Sequence, residues 1–215
     1  MKRRKGTALI LSGILMLAAA VGLTVYNFTD DSRAENQSRQ AFNYVVEAIT
    51  HNAEENRNST QSSSARNPSS QHSSASSGAV PEMSTVEKDG SFYIGVIEIP
   101  SQDISLPVLA DWSYENLKIA PCRYTGSYFT DDLVVCAHNY RSHFNPLRWV
   151  DMGEDVYFTA ANGETIHYVI ANRETLQPYE NKTLVTPSEE WDLTLFTCYV
   201  GGATRCVIRC LRAEN

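Results

Sequence analysis

The sequence predicts a mainly β protein: one closed or nearly closed antiparallel β-barrel with one or two short helices, preceded by a transmembrane helix and a disordered tether. Three observations support this. Residues 91–215 contain seven or eight short β-type runs separated by turn residues. Residues 6–28 are apolar and uncharged, and residues 29–90 include a tract rich in Ser, Asn and Gln. About 120 residues of short strands suits a single barrel.

The N-terminal residues have the pattern of a membrane anchor. Residues 1–5 form a basic tail, and residues 6–28 are long enough as a helix to cross a hydrocarbon core of about 30 Å. The basic tail predicts a cytoplasmic N-terminus, with everything after Phe28 outside the cell. A cleaved signal peptide with its site at Ala18-Ala19-Ala20 is the alternative. Apolar residues continue past Ala20, which favours an anchor, and both interpretations export the rest of the chain.

Residues 29–90 are predicted to be a flexible tether. Within them, the apolar positions of residues 41–49 have nearly helical spacing and predict a short helix near the membrane. Residues 56–78 contain no large apolar side chain, so they cannot bury enough surface to offset the entropy cost of ordering the backbone. We therefore expect a disordered spacer that lifts the folded domain, residues 91–215, off the lipid surface.

The β-type runs supply the predicted strands in chain order. They cover residues 92–99, 104–109, 133–137, 156–159, 165–171, 193–197 and 206–211. Short helices are expected at 112–119 and 146–150, and Asp- and Gly-containing turns at 151–153 and 161–163 separate several of the strands.

The charge of the chain argues against a nucleic-acid partner. The net charge is −7, and without the four basic residues at positions 2–5 the remaining 14 Lys and Arg face 25 Asp and Glu, a net charge of −11. A surface that binds nucleic acid needs a basic face to neutralise phosphates. This composition offers none.

Five cysteines follow the anchor: Cys122, Cys136, Cys198, Cys206 and Cys210. An odd number outside the cell leaves at least one free thiol, and Cys198 is the natural candidate. The other four could form up to two disulfides, or they could stay reduced as small buried side chains. The sequence leaves both possibilities open.

Three residues form a candidate catalytic group. Cys198 ends the strand-like run Thr194–Cys198, His138 follows the run Leu133–Ala137, and Arg205 precedes the last run. A thiol and an imidazole at the ends of two strands, with a guanidinium on a third, can act as nucleophile, proton-transfer group and oxyanion stabiliser.

These residues resemble the sortase family, the membrane-anchored cysteine transpeptidases of Gram-positive bacteria. The matching residues are the TLxTC motif at Thr194–Cys198, the pair His138-Asn139 and Arg205. The resemblance covers residues 93–212 and implies an eight-stranded sortase barrel. It also implies that the chain cleaves sorting-signal peptides of surface proteins through a Cys198 thioester. The acyl group would then pass to an amine of a peptidoglycan precursor, which anchors the protein to the cell wall.

The resemblance assigns roles within the site. His138 would move the proton, Arg205 would stabilise the oxyanion, and Thr197 and Asn139 would bind substrate, with Thr197 alternatively orienting the arginine. Two other residues compete for these roles. His143 lies in the same loop as His138 but is expected to pack that loop down, and Arg209 shares a strand face with Arg205.

Two other functions remain open. An exported cysteine protease would hydrolyse the same kind of thioester, although papain-like enzymes place Cys before His, the reverse of the order here. A non-catalytic extracellular β-barrel binding module would leave the three residues scattered.

We expect no cofactor. The sequence has no CxxC pair and no HExxH motif. Some sortases bind calcium, for which Glu174 and Glu180 are candidate ligands, but a solvated acidic loop explains them better. Within the family, a single N-terminal anchor without a C-terminal apolar segment argues against the pilus-polymerising class.

Overall fold

The computed structural model describes residues 2–63, 81–180, 184, 190–199 and 202–214. One long helix, α1, covers Lys2–Ser63. The nine strands are β1 (Val86–Lys88), β2 (Ser91–Ile99), β3 (Ile104–Leu109), β4 (Cys122–Thr125), β5 (Leu133–Ala137), β6 (Asp155–Ala160), β7 (Thr165–Leu176), β8 (Leu193–Cys198) and β9 (Arg205–Arg212). Short 3₁₀ turns lie at Pro100–Gln102, Asn116–Lys118, Asn145–Trp149 and Pro178–Glu180.

Eight of the nine strands close a barrel. The hydrogen-bonded order is β1-β2-β3-β4-β5-β8-β9-β7-β6, and β6 also pairs with β2, which closes the ring. Strand β1 adds to β2 outside that ring. The closed eight-stranded, mainly β barrel expected from the resemblance is therefore confirmed.

The expectation of all-antiparallel pairing is wrong for two strand pairs. Strand β3 pairs with β4, and β5 with β8, in parallel. The sequence analysis also missed β1 and β4, because three and four residues are too few to show a period-two pattern.

The strands alternate between the barrel interior and an outer apolar layer. In β8, Leu193 and Leu195 pack inside the barrel with residues such as Ile208 of β9. Phe196 belongs instead to the outer layer, together with Val207. Successive side chains of a strand point to opposite faces, so Cys198 shares the outer face with Phe196. The alternation keeps the thiol out of the barrel core.

Helix α1 extends far beyond the apolar segment and packs on the outside of the barrel. Ala41, Val45 and Ile49 recur every four residues on one helix face and are buried. They belong to one apolar cluster with residues of the strands, including Tyr93 and Val96 of β2. Burial of this apolar face stabilises the docked part of the helix, since burial of an amphipathic stripe is the main source of helix stability in proteins.

The structure corrects the expected tether for residues 29–63, which are helical rather than disordered. The short helix expected at residues 41–49 lies inside α1. The helical spacing is visible in the sequence, but the apolar barrel surface that covers this helix face is formed by distant strands. Residues 64–80, which hold most of the Ser-rich tract, lie outside the described residues.

The β6–β7 turn is shaped to receive α1. Gly163 adopts a left-handed backbone conformation with φ of +88°, and a Cβ atom at this position would lie 2.9 Å from Cβ of Ala53. Glycine adopts this conformation without the steric cost that other residues incur. Nearby, Nδ2 of Asn52 donates a hydrogen bond to the carbonyl of Ala161 at 3.4 Å. The absence of a side chain at Gly163 therefore allows both the backbone conformation of the turn and the close approach of the helix.

The N-terminal part of α1 carries a continuous apolar surface. Its large side chains are exposed, from Leu9 at 74% to Phe28 at 69%. Among the described residues, this helix alone is long and apolar enough to cross a membrane, judged by length and composition. Exposed apolar side chains of this kind suit a lipid environment.

Truncating the docked face of α1 tests whether the helix is part of the folded domain. We expect Ile49→Ala to lower the free energy of unfolding by about 2–4 kcal/mol, because it leaves a cavity beneath the helix. Val46→Ala, a substitution at an exposed position three residues earlier in the helix, serves as the control and is expected to change stability little. Chemical denaturation of the full chain in detergent measures both, and equal stabilities for the two variants would show that the helix is only a tether.

Candidate active site

Three neighbouring strands bring the predicted catalytic residues to one edge of the barrel. In the parallel pair β5–β8, Ala137 lies opposite Thr197. His138 follows Ala137, and Cys198 follows Thr197. These two residues therefore leave neighbouring positions at the same end of the β5–β8 pair. In the antiparallel pair β8–β9, Cys198 lies directly opposite Arg205. The register thus places the imidazole, the thiol and the guanidinium on three consecutive strands at the same edge.

Cys198 is the partly exposed cysteine of the chain. All five cysteines are free, and the other four are buried: Cys122, Cys136, Cys206 and Cys210. Burial raises the pKa of the Cys122 thiol to about 12 and also raises the pKa of the other three buried thiols. A thiol must ionise to act as a nucleophile, so these four are unreactive at neutral pH. The structure joins none of these four cysteines in a disulfide.

The side chain of Thr197 points into the barrel. Its side chain is completely buried, and its Oγ1 donates a hydrogen bond to the carbonyl of Ala137 at 2.9 Å. The strand alternation that turns Cys198 outward turns the Thr197 side chain inward, and contact between Thr197 and a substrate stays a prediction. Its hydrogen bond instead ties β8 to the residue that precedes His138.

His138 lies in a partly buried loop with charges of both signs nearby. Burial lowers the pKa of the imidazole, the negative charge of Asp30 raises it, and the positive charge of Lys118 lowers it. The net direction is downward, so less of the imidazole is protonated at neutral pH than in water. The ring centroid of Tyr140 lies 5.0 Å from that of His138.

Asn139 is partly exposed, next to His138. Its backbone carbonyl accepts a hydrogen bond from Nδ2 of Asn145 at 3.1 Å. This bond holds the two ends of the loop together. Asn139 therefore shapes the loop that carries His138, and its partly exposed side chain stays a candidate for contact with a substrate.

His143 is placed away from solvent. Its side chain is fully buried, and burial, followed by the charge of the neighbouring His138, lowers its pKa to about 4. Phe144 and Leu147, on the same loop, are also fully buried. His143 therefore belongs to the packing that fixes the loop, as the sequence analysis expected, and it is neutral near pH 7.

The two arginines of β9 have different surroundings. Arg209 is only 5% exposed, and its Nε donates to Oε1 of Glu174 at 2.7 Å while its Nη1 donates to Oγ1 of Thr194 at 2.9 Å. Arg205 is partly exposed, and its buried Nη1 has no hydrogen-bond partner among the described residues. Buried donors are rarely left unpaired, so an unused donor beside Cys198 is consistent with a site for a substrate oxygen.

The acidic residues considered as calcium ligands make other contacts. Glu174 forms the ion pair with Arg209, and Oε2 of Glu180 accepts a hydrogen bond from the backbone of Gln177 at 2.6 Å. In the part of the chain that the structure describes, no group of three His, Cys, Asp or Glu side chains is arranged to hold a metal ion.

Sequence analysis missed a contact between α1 and the loop of His138. Oη of Tyr140 donates a hydrogen bond to Oδ2 of Asp30 at 2.6 Å, and Oγ of Ser142 donates to Oδ1 of Asp31 at 3.2 Å. Asp30 and Asp31 lie in the segment predicted to be a tether, so no local pattern pointed to them. The position of Tyr140 two residues after His138 was the one available signal.

Comparison with known proteins identifies the same fold. The family model described as "Sortase domain" matches residues 97–213. No curated protein matches the chain. Sortase A from Corynebacterium diphtheriae is 25% identical with a TM-score of 0.49, and the alignment covers 57% of this chain and 61% of that one. The chain thus spans about three fifths of that protein's structure.

Two further solved structures belong to sortases of class C. Sortase C1 from Streptococcus suis is 27% identical with a TM-score of 0.49, and the alignment covers 57% of this chain and 74% of that one. Sortase C from Streptococcus pneumoniae is 20% identical with a TM-score of 0.50, and the alignment covers 57% of this chain and 70% of that one.

The similar structures include sortases described as pilus-related. The expectation that this chain lies outside the pilus-polymerising class is therefore not borne out. The family itself is shown by the match of the sortase family model to more than half of the chain, together with the closed eight-stranded barrel. The chain belongs to the sortase family, whose members are cysteine transpeptidases.

Proposed function

We propose that this chain cleaves sorting-signal peptides through a thioester on Cys198 and transfers the acyl group to an amine, anchoring proteins to the cell wall. The observation that supports it most strongly is the strand register. Cys198 lies opposite Arg205, and His138 follows the residue paired with Thr197. Nucleophile, oxyanion stabiliser and proton-transfer group are thus adjacent.

The first half of the reaction forms the acyl-enzyme. The Cys198 thiolate attacks the carbonyl carbon of a peptide bond, and the carbonyl oxygen gains the electron pair of the broken π bond. The guanidinium of Arg205 stabilises this oxyanion as a permanently charged donor. When the intermediate collapses, the C–N bond breaks and His138 gives its proton to the leaving amine.

The second half transfers the acyl group. An amine of the peptidoglycan precursor attacks the thioester carbonyl, and the neutral imidazole of His138 accepts a proton from that amine. The C–S bond then breaks, Cys198 leaves as a thiolate, and a new amide bond remains. Because burial lowers the pKa of His138, only a fraction of the molecules hold imidazolium at neutral pH, so turnover is expected to be slow.

The cellular position follows from the N-terminal part of α1. The apolar residues 6–28 would cross the membrane once, with the basic residues 1–5 in the cytoplasm and the barrel outside the cell. This side of the membrane is where exported surface proteins and the cell-wall amine meet.

A peptide-ligation assay tests the proposed function. The full chain in detergent is incubated with a library of sorting-signal peptides and triglycine, and mass spectrometry detects cleaved and ligated products. We expect ligation by the unaltered chain and no acyl-enzyme with Cys198→Ala, which should fold normally because Cys198 is partly exposed. Cleavage without ligation would indicate a protease, and ligation by Cys198→Ala would rule out Cys198 as the nucleophile.

The two histidines of the loop should have separable effects. His138→Ala is expected to lower kcat by about 10²–10⁴-fold, the usual loss of a general acid–base. His143→Ala should mainly lower the free energy of unfolding, by about 1–3 kcal/mol, because its ring is buried in the loop. Peptide cleavage, measured below the unfolding temperature of each variant, checks the ranking. The reverse order would assign proton transfer to His143.

The two arginines of β9 supply a matched pair of substitutions. Arg205→Lys is expected to lower kcat by about 10²–10³-fold, because an ammonium cannot present the fixed donors of a guanidinium where the charge develops. Arg209→Lys should instead reduce stability, since it disturbs the hydrogen bonds to Glu174 and Thr194. Steady-state kinetics and thermal unfolding measure both variants. Near-normal kcat for Arg205→Lys would exclude its oxyanion role.

A further inference from the structure

We propose that Asp30 of helix α1 is a positioning residue for His138, which it reaches through Tyr140, so that the membrane-anchoring helix forms part of the catalytic site. The inference rests on the proposed function for the role of His138 in proton transfer. The contact itself is a property of the folded chain.

The contact consists of a hydrogen bond and two ring contacts. Oη of Tyr140 donates to Oδ2 of Asp30 at 2.6 Å. The Tyr140 ring lies with its centroid 5.0 Å from that of His138 and 5.3 Å from that of His143. The hydroxyl is therefore held by the helix while the ring rests against both imidazoles. A shift of Asp30 would move the ring that supports His138.

Further contacts hold both sides of this hydrogen bond in place. On the helix side, Ala34 and Ser38 are buried four and eight residues after Asp30, about one and two turns along α1. On the loop side, the carbonyl of Tyr140 accepts hydrogen bonds from the backbone of His143 at 3.0 Å and of Asn145 at 3.2 Å. A second hydrogen bond between helix and loop, from Ser142 to Asp31, lies one residue further along α1. Tyr140 is thus fixed at its backbone and at its hydroxyl.

Asp30 and Lys118 act in opposite directions on the pKa of the His138 imidazole. Asp30 favours the protonated form of His138, whereas burial and Lys118 favour the neutral form. The rings of Tyr140 and His143, on the same loop, lie beside it, and Asp31 and Tyr26 of α1 act on Tyr140. Cys198 and Arg205 continue on the neighbouring strands β8 and β9.

Within this set of groups, burial and Asp30 raise the pKa of Tyr140, which keeps its hydroxyl protonated as the donor. His143, with its pKa lowered to about 4, is neutral at pH 7. Asp30 is therefore the group that acts on His138 to preserve imidazolium, the form that a general acid requires.

The position of Asp30 along α1 links catalysis to the membrane. Phe28 is the last residue of the apolar segment, and Asp30 follows two residues later, about 3 Å further along the helix axis. The hydrogen bond to the catalytic loop thus lies where the membrane-spanning segment is expected to end. A helix that carries the anchor also supports the proton-transfer residue.

Asp30→Asn in the full chain in detergent micelles tests the proposal. The control is Glu35→Gln, which removes the same charge from the same helix, where Glu35 pairs with Arg39 at 2.6 Å. Two measurements are made. The first is the pH dependence of kcat and KM for peptide cleavage. The second is an NMR titration of His138, carried out in the Cys198→Ala background so that it does not depend on activity.

We expect Asp30→Asn to lower the pKa of His138, because the charge that favours imidazolium is lost. The limb of the kcat profile on which His138 loses its proton should move to lower pH. We expect kcat to fall by about 2- to 10-fold with KM unchanged, because an amide oxygen accepts a weaker hydrogen bond from Tyr140 than a carboxylate does and the charge that favours imidazolium is lost. Tyr140→Phe should cause a similar loss of kcat, and the double variant should lose little more than either single one.

Each other outcome has a definite meaning. If His138 titrates identically in Asp30→Asn, Glu35→Gln and the unaltered chain, the positioning role is wrong, whatever the activity. If Glu35→Gln shifts the pKa of His138 as much as Asp30→Asn does, the shift comes from the overall charge of the helix. The specific contact through Tyr140 is then excluded. If the titration shifts but no variant, including the unaltered chain, ligates peptides, the contact is supported and the transpeptidase function is what fails.

Discussion

The site depends above all on the hydrogen-bond register of β8 with its two neighbours. Parallel pairing with β5 aligns the residues that precede His138 and Cys198, and antiparallel pairing with β9 sets Cys198 opposite Arg205. A slip of one residue would turn the thiol toward the barrel interior, because side chains alternate along a strand. The apolar residues Leu193 and Leu195 oppose such a slip, since it would move them out of the core. Core packing therefore maintains the geometry of the catalytic edge.

The same alternation gives neighbouring residues different tasks. Cys198 faces outward and is partly exposed, whereas Thr197 faces inward and hydrogen-bonds the strand that leads to His138. On β9, Arg205 lies beside the thiol, and Arg209, four residues along, is occupied by Glu174 and Thr194. The two arginines thus differ in burial and in hydrogen-bond partners, although their side chains are chemically the same.

Helix α1 joins the exposed apolar segment to the barrel surface, two parts of the chain that appear separate in the sequence. Its N-terminal part exposes apolar side chains suited to lipid, and its later part buries Ala41, Val45 and Ile49 on the barrel. Between these parts, Asp30 meets Tyr140 in the loop of His138. Because the helix is continuous, the barrel has a defined orientation relative to the apolar segment. In this arrangement the loop that carries His138 lies close to the end of the apolar segment.

The sequence alone determined the features that depend on local pattern. Period-two runs marked most strands, the apolar stretch marked a helix long enough to span a membrane, and the motif around Cys198 indicated the family. It also singled out His138 and Arg205, for which the structure adds a physical reason: their competitors His143 and Arg209 are buried. Only the tertiary structure decided the parallel pairings, the inward side chain of Thr197 and the docking of α1. Each of these depends on which distant surfaces meet, and the pairing of residues far apart in the chain leaves no signal in a local pattern.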